Sequence, residues 1–141
     1  MNGVEILLSD LKFGEDSEDL VLNILEERGY TVEKTSKTAL TDFFITKGAK
    51  RFHAELKTRT CSRVKYEDTM IGANKLGEAW NLYYKEGIET LFLFKFTDGL
   101  YSYNPIKQYR TEYKAWRGDR WGIDKKKGWI YVNNKDLSEK F

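Results

Sequence analysis

The chain, 141 residues long, reads as an α/β domain: a mixed central sheet flanked by helices, in the order αβββαβ. Three observations predict this. A helical stretch with an apolar stripe and acids in its first turn comes first. Two strand-like runs then meet across a tight Gly48-Ala49 loop. A second helical stretch ending at Gly87 leads into Leu91 to Phe96, the most apolar run of the chain.

The elements follow in order. Glu15 to Arg28 forms the first helix, its N-terminal acids complementing the helix dipole and Gly29 standing just past its end. Tyr30 to Glu33 reads as a short strand. Thr41 to Thr46 and Arg51 to Thr58 are strands separated by Lys47-Gly48-Ala49-Lys50, and a two-residue loop with glycine first suits a type II′ hairpin. The second helix begins either near Asp68 or near Asn74, since Gly72 and Gly77 leave both starts open. Leu91 to Phe96 and Leu100 to Tyr103 flank Thr97-Asp98-Gly99, a second hairpin signal. After Pro105, the single proline, comes a basic, aromatic segment without a clear pattern. A short strand at Trp129 to Val132 and a final helical turn close the chain. One domain spans residues 1–141, with a core at about 14–104 and a basic aromatic extension at about 105–141.

Composition narrows the class. Charged residues make up 33% and apolar residues 40%, as in ordinary globular proteins. No apolar run approaches the ~20 residues that span a bilayer, and no secretory signal opens the chain. The lone Cys61 has no internal disulfide partner, and with His53 the only histidine the residues argue against structural zinc. A reducing, cytoplasmic setting is expected. The net charge of +2 is unevenly spread: residues 1–33 carry −7, leaving +9 for the remainder. Positive charge concentrates in residues 34–59 and 107–127, an electrostatic footprint for a polyanion if it is more than a solvated surface.

Four acid-x-Lys tripeptides occur, and Glu55-Leu56-Lys57 stands apart because its strand follows another strand that opens with an acid. In the Gly48-Ala49 hairpin Lys47 pairs with Lys50, which carries Asp42 directly opposite Glu55. Cross-strand partners of this kind have β-carbons ~4.5–5.5 Å apart. Two carboxylates so placed repel each other, and a divalent cation between them reverses the sign. Magnesium is the natural candidate, preferring hard oxygen ligands and keeping several waters. Alternation along the strand puts His53, Glu55, Lys57 and Arg59 on one face. On the first helix Val21, Leu22 and Leu25 fall within about 60° of Glu18, so Glu18 lies in the apolar stripe and needs a partner such as a metal ion or one of its waters. Glu15, one turn earlier, is the other candidate.

This pattern resembles the PD-(D/E)xK nuclease superfamily: a helical Glu, an Asp heading one strand, and Glu-x-Lys on the next. Gly14, Glu18 and Gly29, followed by Tyr30 and a strand, are similar to the opening of the small Holliday-junction-resolvase branch. Thr41 stands where the superfamily name places proline. The resemblance implies a restriction-endonuclease-like core in which Asp42 and Glu55 bind the metal, with the Leu56 carbonyl a further ligand. Glu18 would bind the metal or orient one of its waters. Lys57 would position the attacking water and stabilise charge on the scissile phosphate.

Beyond that motif, Lys75 could face the phosphates or be an exposed helix lysine. Lys107, Arg110, Lys114, Arg117 and Arg120 interleave with Tyr109, Tyr113, Trp116 and Trp121. That mixture suits nucleic-acid binding, or a dimer interface. His53 is read as a hydrogen-bonded strand residue and Cys61 as inert. The expectation is a magnesium-dependent DNA endonuclease, with manganese able to substitute, that is structure-specific, resolvase-like and homodimeric. A homing or restriction-type endonuclease and a catalytically inactive DNA-binding protein are the alternatives.

Overall fold

A computed structural model describes residues 18–35, 41–108, 112–114 and 129–141. Helix α1 covers residues 18–27. Its end is a Schellman motif: Tyr30 N–H reaches the Leu25 carbonyl at 2.9 Å and Gly29 N–H the Glu26 carbonyl at 3.0 Å. Gly29 supplies the positive φ of 92° that this reversal requires. Leu25 and Tyr30, the apolar pair at this cap, are both buried in the core.

Strands β1 (Thr31–Lys34), β2 (Phe43–Lys47) and β3 (Lys50–Thr58) form an antiparallel meander. The turn between β2 and β3 has Gly48 at φ 61°, while Ala49 keeps a negative φ, the signs a type II′ turn requires. Next come β4 (Asp68–Gly72), helix α2 (Ala73–Glu86), β5 (Glu89–Phe96) and β6 (Gly99–Tyr103). The chain continues through β7 (Glu112–Lys114), β8 (Trp129–Asn133) and a 3-10 turn, Asn134–Asp136.

The central sheet has the order β1-β2-β3-β5-β6. It is mixed because β3 and β5 run parallel, and parallel neighbours need a long crossover, here supplied by β4 and α2. The expected αβββαβ order is present with one insertion. Asp68 does not start the second helix: Asp68–Gly72 pairs antiparallel with β8, in a separate sheet of order β4-β8-β7. Thr69 and Ile71 are buried while Met70 is exposed, a period of two that belongs to a strand. The helix starts at Ala73, beside the Asn74 alternative.

Each face of the central sheet has its own core. Phe43, Ile45, Phe52, Ala54, Leu91 and Leu93 point toward α1 and pack with Val21 and Leu25. Phe92, Phe94 and Phe96 point the other way and pack with Ala79 of α2 and with Ile71 and Val132 of the second sheet. Strand β3 is therefore covered on both sides, and an odd-numbered polar residue on it projects toward α2. Among the described residues no helix is long and apolar enough to cross a membrane.

Candidate active site

The observed β2–β3 register is the one the tight hairpin dictates, Lys47 opposite Lys50 and Phe43 opposite Ala54. The ladder ends there. Asp42 lies one residue beyond it and is held by specific bonds. Its N–H donates to the Ala54 carbonyl at 3.1 Å, and its carboxylate Oδ2 accepts the Leu56 N–H at 2.8 Å. On the other side Thr35, just past β1, donates its hydroxyl to the carbonyls of Thr41 (2.5 Å) and Asp42 (2.9 Å), and its N–H reaches the Asp42 carbonyl at 3.3 Å. Strands on both sides thus fix where the Asp42 carboxylate stands.

Glu55 is the buried acid of the group. Its side chain is only 7% exposed, and Oε1 faces two ammonium groups, Lys75 Nζ at 3.6 Å and Lys57 Nζ at 3.9 Å. Burial pushes its carboxyl above the ordinary range and the nearby Asp42 carboxylate pushes it further, while Lys75 and Lys57 pull it back only in part. Lys75 is raised as well: burial opposes its charge, but Glu55 and Glu78 together outweigh that cost. Glu78, one turn along α2, holds Oε2 3.5 Å from Lys75 Nζ, and among the described residues that buried oxygen has no closer polar partner.

Glu55, Lys75 and Glu78 line a small cleft between the sheet and α2, walled also by Thr41, Ala79, Thr90 and Phe92 and partly open to solvent. Thr90, 1% exposed, lines the same cleft, and its Oγ1 has no hydrogen-bond partner among the described residues. The donor set suits magnesium. It offers two hard carboxylates close enough to repel each other, in a cleft partly open to solvent. Among the described residues no group of three or more acids, histidines or cysteines converges on one point, so Asp42 and Glu55 are a pair.

Glu18 is not part of that group. Its carboxylate pairs with Lys34 Nζ of β1 at 3.2 Å and is 37% exposed. The physical reason is the two-sided sheet, since α1 packs on the face opposite Glu55. Glu15 lies outside the described residues. Lys75, read from sequence only as a possible phosphate contact, sits against the buried acid. Lys107 is exposed, Lys114 lies in β7, and Arg110, Arg117 and Arg120 lie outside the described residues.

Sequence reasoning missed Thr35, Glu78 and Thr90. Lys75, Glu78 and Ala79 share one helix face by i, i+3, i+4 spacing, a signal that could have linked the first two. His53 is buried as a structural residue. Its Nδ1 stands 3.1 Å from Thr41 Oγ1 and its Nε2 2.7 Å from Glu86 Oε2, so a hydrogen-bonded chain runs from α2 to the residue preceding Asp42.

The crossover sheet, with an acid heading β2 and Glu-x-Lys on β3, defines the restriction-endonuclease-like class of the PD-(D/E)xK nucleases. Residues 13–137 match the family described as "Phage putative PDDEXK endonuclease", and the chain belongs to it. The solved structure of Hjc, a Holliday junction resolvase from the archaeal hyperthermophile Archaeoglobus fulgidus, has the same fold, with a TM-score of 0.57 at 11% identity. The alignment covers 82% of this chain and 86% of Hjc. No curated protein matches the chain.

Proposed function

We propose that the protein is a divalent-cation-dependent DNA endonuclease that recognises branched or otherwise structured DNA and acts as a homodimer. The observation that carries this reading is the convergence of Asp42, Glu55 and Lys57 at the start of β2 and along β3 in a chain of an endonuclease family. Asp42, Glu55 and the Leu56 carbonyl would hold the cation, magnesium with manganese as a substitute. When bound, it supplies Lewis acidity toward a phosphoryl oxygen and acidifies its water.

The chain's own residues do the rest. Asp42 is presented by the Leu56 N–H and the Thr35 clamp, so its carboxylate needs little reorganisation. The Lys57 side chain is 40% exposed, able to reach a phosphate entering from solvent, where its ammonium stabilises the charge that builds on the transition state. Lys107, Arg110, Lys114, Arg117 and Arg120 supply phosphate contacts outside the catalytic group. Structure recognition is supported by the fold that the chain shares with a Holliday junction resolvase.

The test is incubation with duplex, single-stranded, branched and supercoiled DNA in magnesium, manganese or EDTA. Cleavage strongest on branched DNA and abolished by EDTA is expected. Asp42→Asn, Glu55→Gln and Lys57→Ala should each lower it at least ~100-fold. Undiminished cleavage by Glu55→Gln would remove the assignment. Salt-dependent binding without cleavage would make the protein a DNA-binding relative instead.

A further inference from the structure

Lys75 stands between two carboxylates, at ion-pair distance from both. Its Nζ lies 3.6 Å from Glu55 Oε1 and 3.5 Å from Glu78 Oε2, both longer than the ~2.7–3.2 Å usual for an N–H···O bond. The two acids are not equivalent. Glu55 is the oxygen donor that a cation would share with Asp42. Glu78 Oε2 is a buried acceptor that, among the described residues, has only the 3.5 Å pair with Lys75, on the same helix three residues earlier. Lys57, the other ammonium on Glu55, is 40% exposed and free to turn to solvent. Lys75 is 33% exposed, in a cleft walled by Ala79, Thr90 and Phe92.

From this arrangement we infer that Lys75 is a resident counter-ion of Glu55 that competes with the divalent cation, and that Glu78 is the positioning residue that takes Lys75 when the cation binds. The inference rests on the proposed cation site at Asp42 and Glu55. An ammonium within 4 Å of an oxygen that also holds a dication is strongly repelled, because like charges interact steeply at that range in a partly buried site. Lys75 relieves the repulsion by a side-chain movement away from Glu55 that keeps its pair with Glu78 and closes on Glu78 Oε2. Without cation, Lys75 and Lys57 offset the repulsion between Glu55 and Asp42. The site is therefore kept assembled before metal arrives, at the cost of weaker metal binding.

Calorimetric titration with Mn²⁺ alone, without DNA, separates the roles. Lys75→Met should bind Mn²⁺ roughly tenfold tighter than wild type, the scale of losing one close like charge. Lys75→Arg, which keeps the charge, should stay near wild type. Glu78→Gln should bind several-fold more weakly, because Lys75 then has only Glu55. The Lys75→Met/Glu78→Gln double variant should match Lys75→Met, since Glu78 acts through Lys75. A long-range field effect of Glu78 would instead persist in the double variant, and that result overturns its assignment. Melting curves in EDTA identify any variant that fails to fold, with Lys75→Gln replacing Lys75→Met in that event. If wild type binds Mn²⁺, Glu55→Gln abolishes binding, and Lys75→Met leaves it unchanged or weaker, the inference fails while the cation site stands. If wild type binds no Mn²⁺, both fail.

Discussion

Replacing Glu55 by Gln probes the site without any substrate. The folded protein holds the Glu55 carboxyl above its ordinary value of 4.5, through burial first and the Asp42 charge second. A carboxyl raised in this way keeps its proton to higher pH when folded than when unfolded. Its contribution to stability therefore declines as pH climbs from the ordinary carboxylate range through the raised folded value, and stays lost above it. The Gln variant has nothing to titrate there, so that decline should disappear. In EDTA at mildly alkaline pH the variant should melt at or above wild type, because Lys75 keeps Glu78 and Lys57 can turn to water. Cation should reverse the order. With free magnesium at ten times its dissociation constant, mass action adds about 1.4 kcal/mol to the wild type. For a domain of this length that is a rise of roughly 3–6 °C in melting temperature. The variant, short of a ligand, should gain little. The assay is a set of melting curves for both proteins from acid to mildly alkaline pH, with EDTA, magnesium, manganese and calcium. A variant that melts well below wild type in EDTA, or that keeps the full cation shift, refutes the reasoning.

Other consequences are equally direct. Thr35→Val removes the hydroxyl clamp on the Thr41 and Asp42 carbonyls. It should cost about 1 kcal/mol in denaturant unfolding and, by loosening Asp42, about tenfold or more in cleavage; unchanged cleavage would show that Asp42 needs no such support. His53→Leu leaves the buried Thr41 hydroxyl without its imidazole partner. It should destabilise the fold by about 1–3 kcal/mol, and a negligible loss would mean that the Thr41–His53–Glu86 chain carries no stability. Neutralising Lys114, Arg117 and Arg120 together should lower the slope of log affinity against log salt by up to about three. An unchanged slope with an altered oligomeric mass would make that segment the dimer interface.

The parts of this protein legible in its sequence are those set by local rules. Gly29 after a run of helix formers, Gly48-Ala49 between two strand-like runs and alternation along Phe52 to Lys57 depend on backbone geometry within a few residues. They placed α1, the β2–β3 register and the shared face of Glu55 and Lys57 without any tertiary knowledge. Asp42 beside Glu55 followed from the same hairpin, because a two-residue turn leaves no freedom of register.

What tertiary structure alone decided is which groups meet from distant segments. Glu18 sits in an apolar stripe in sequence, yet the sheet separates α1 from Glu55, and the acid pairs with Lys34 instead. The Asp68–Gly72 strand needed β8, some sixty residues away, before its pairing could be seen. Lys75, with Glu78 beside it, reaches Glu55 only because β3 and β5 run parallel, so the crossover lays α2 over the odd-numbered face of β3. Periodicity tells each helix which stripe to bury; only the packed sheet determines which buried charge that stripe meets.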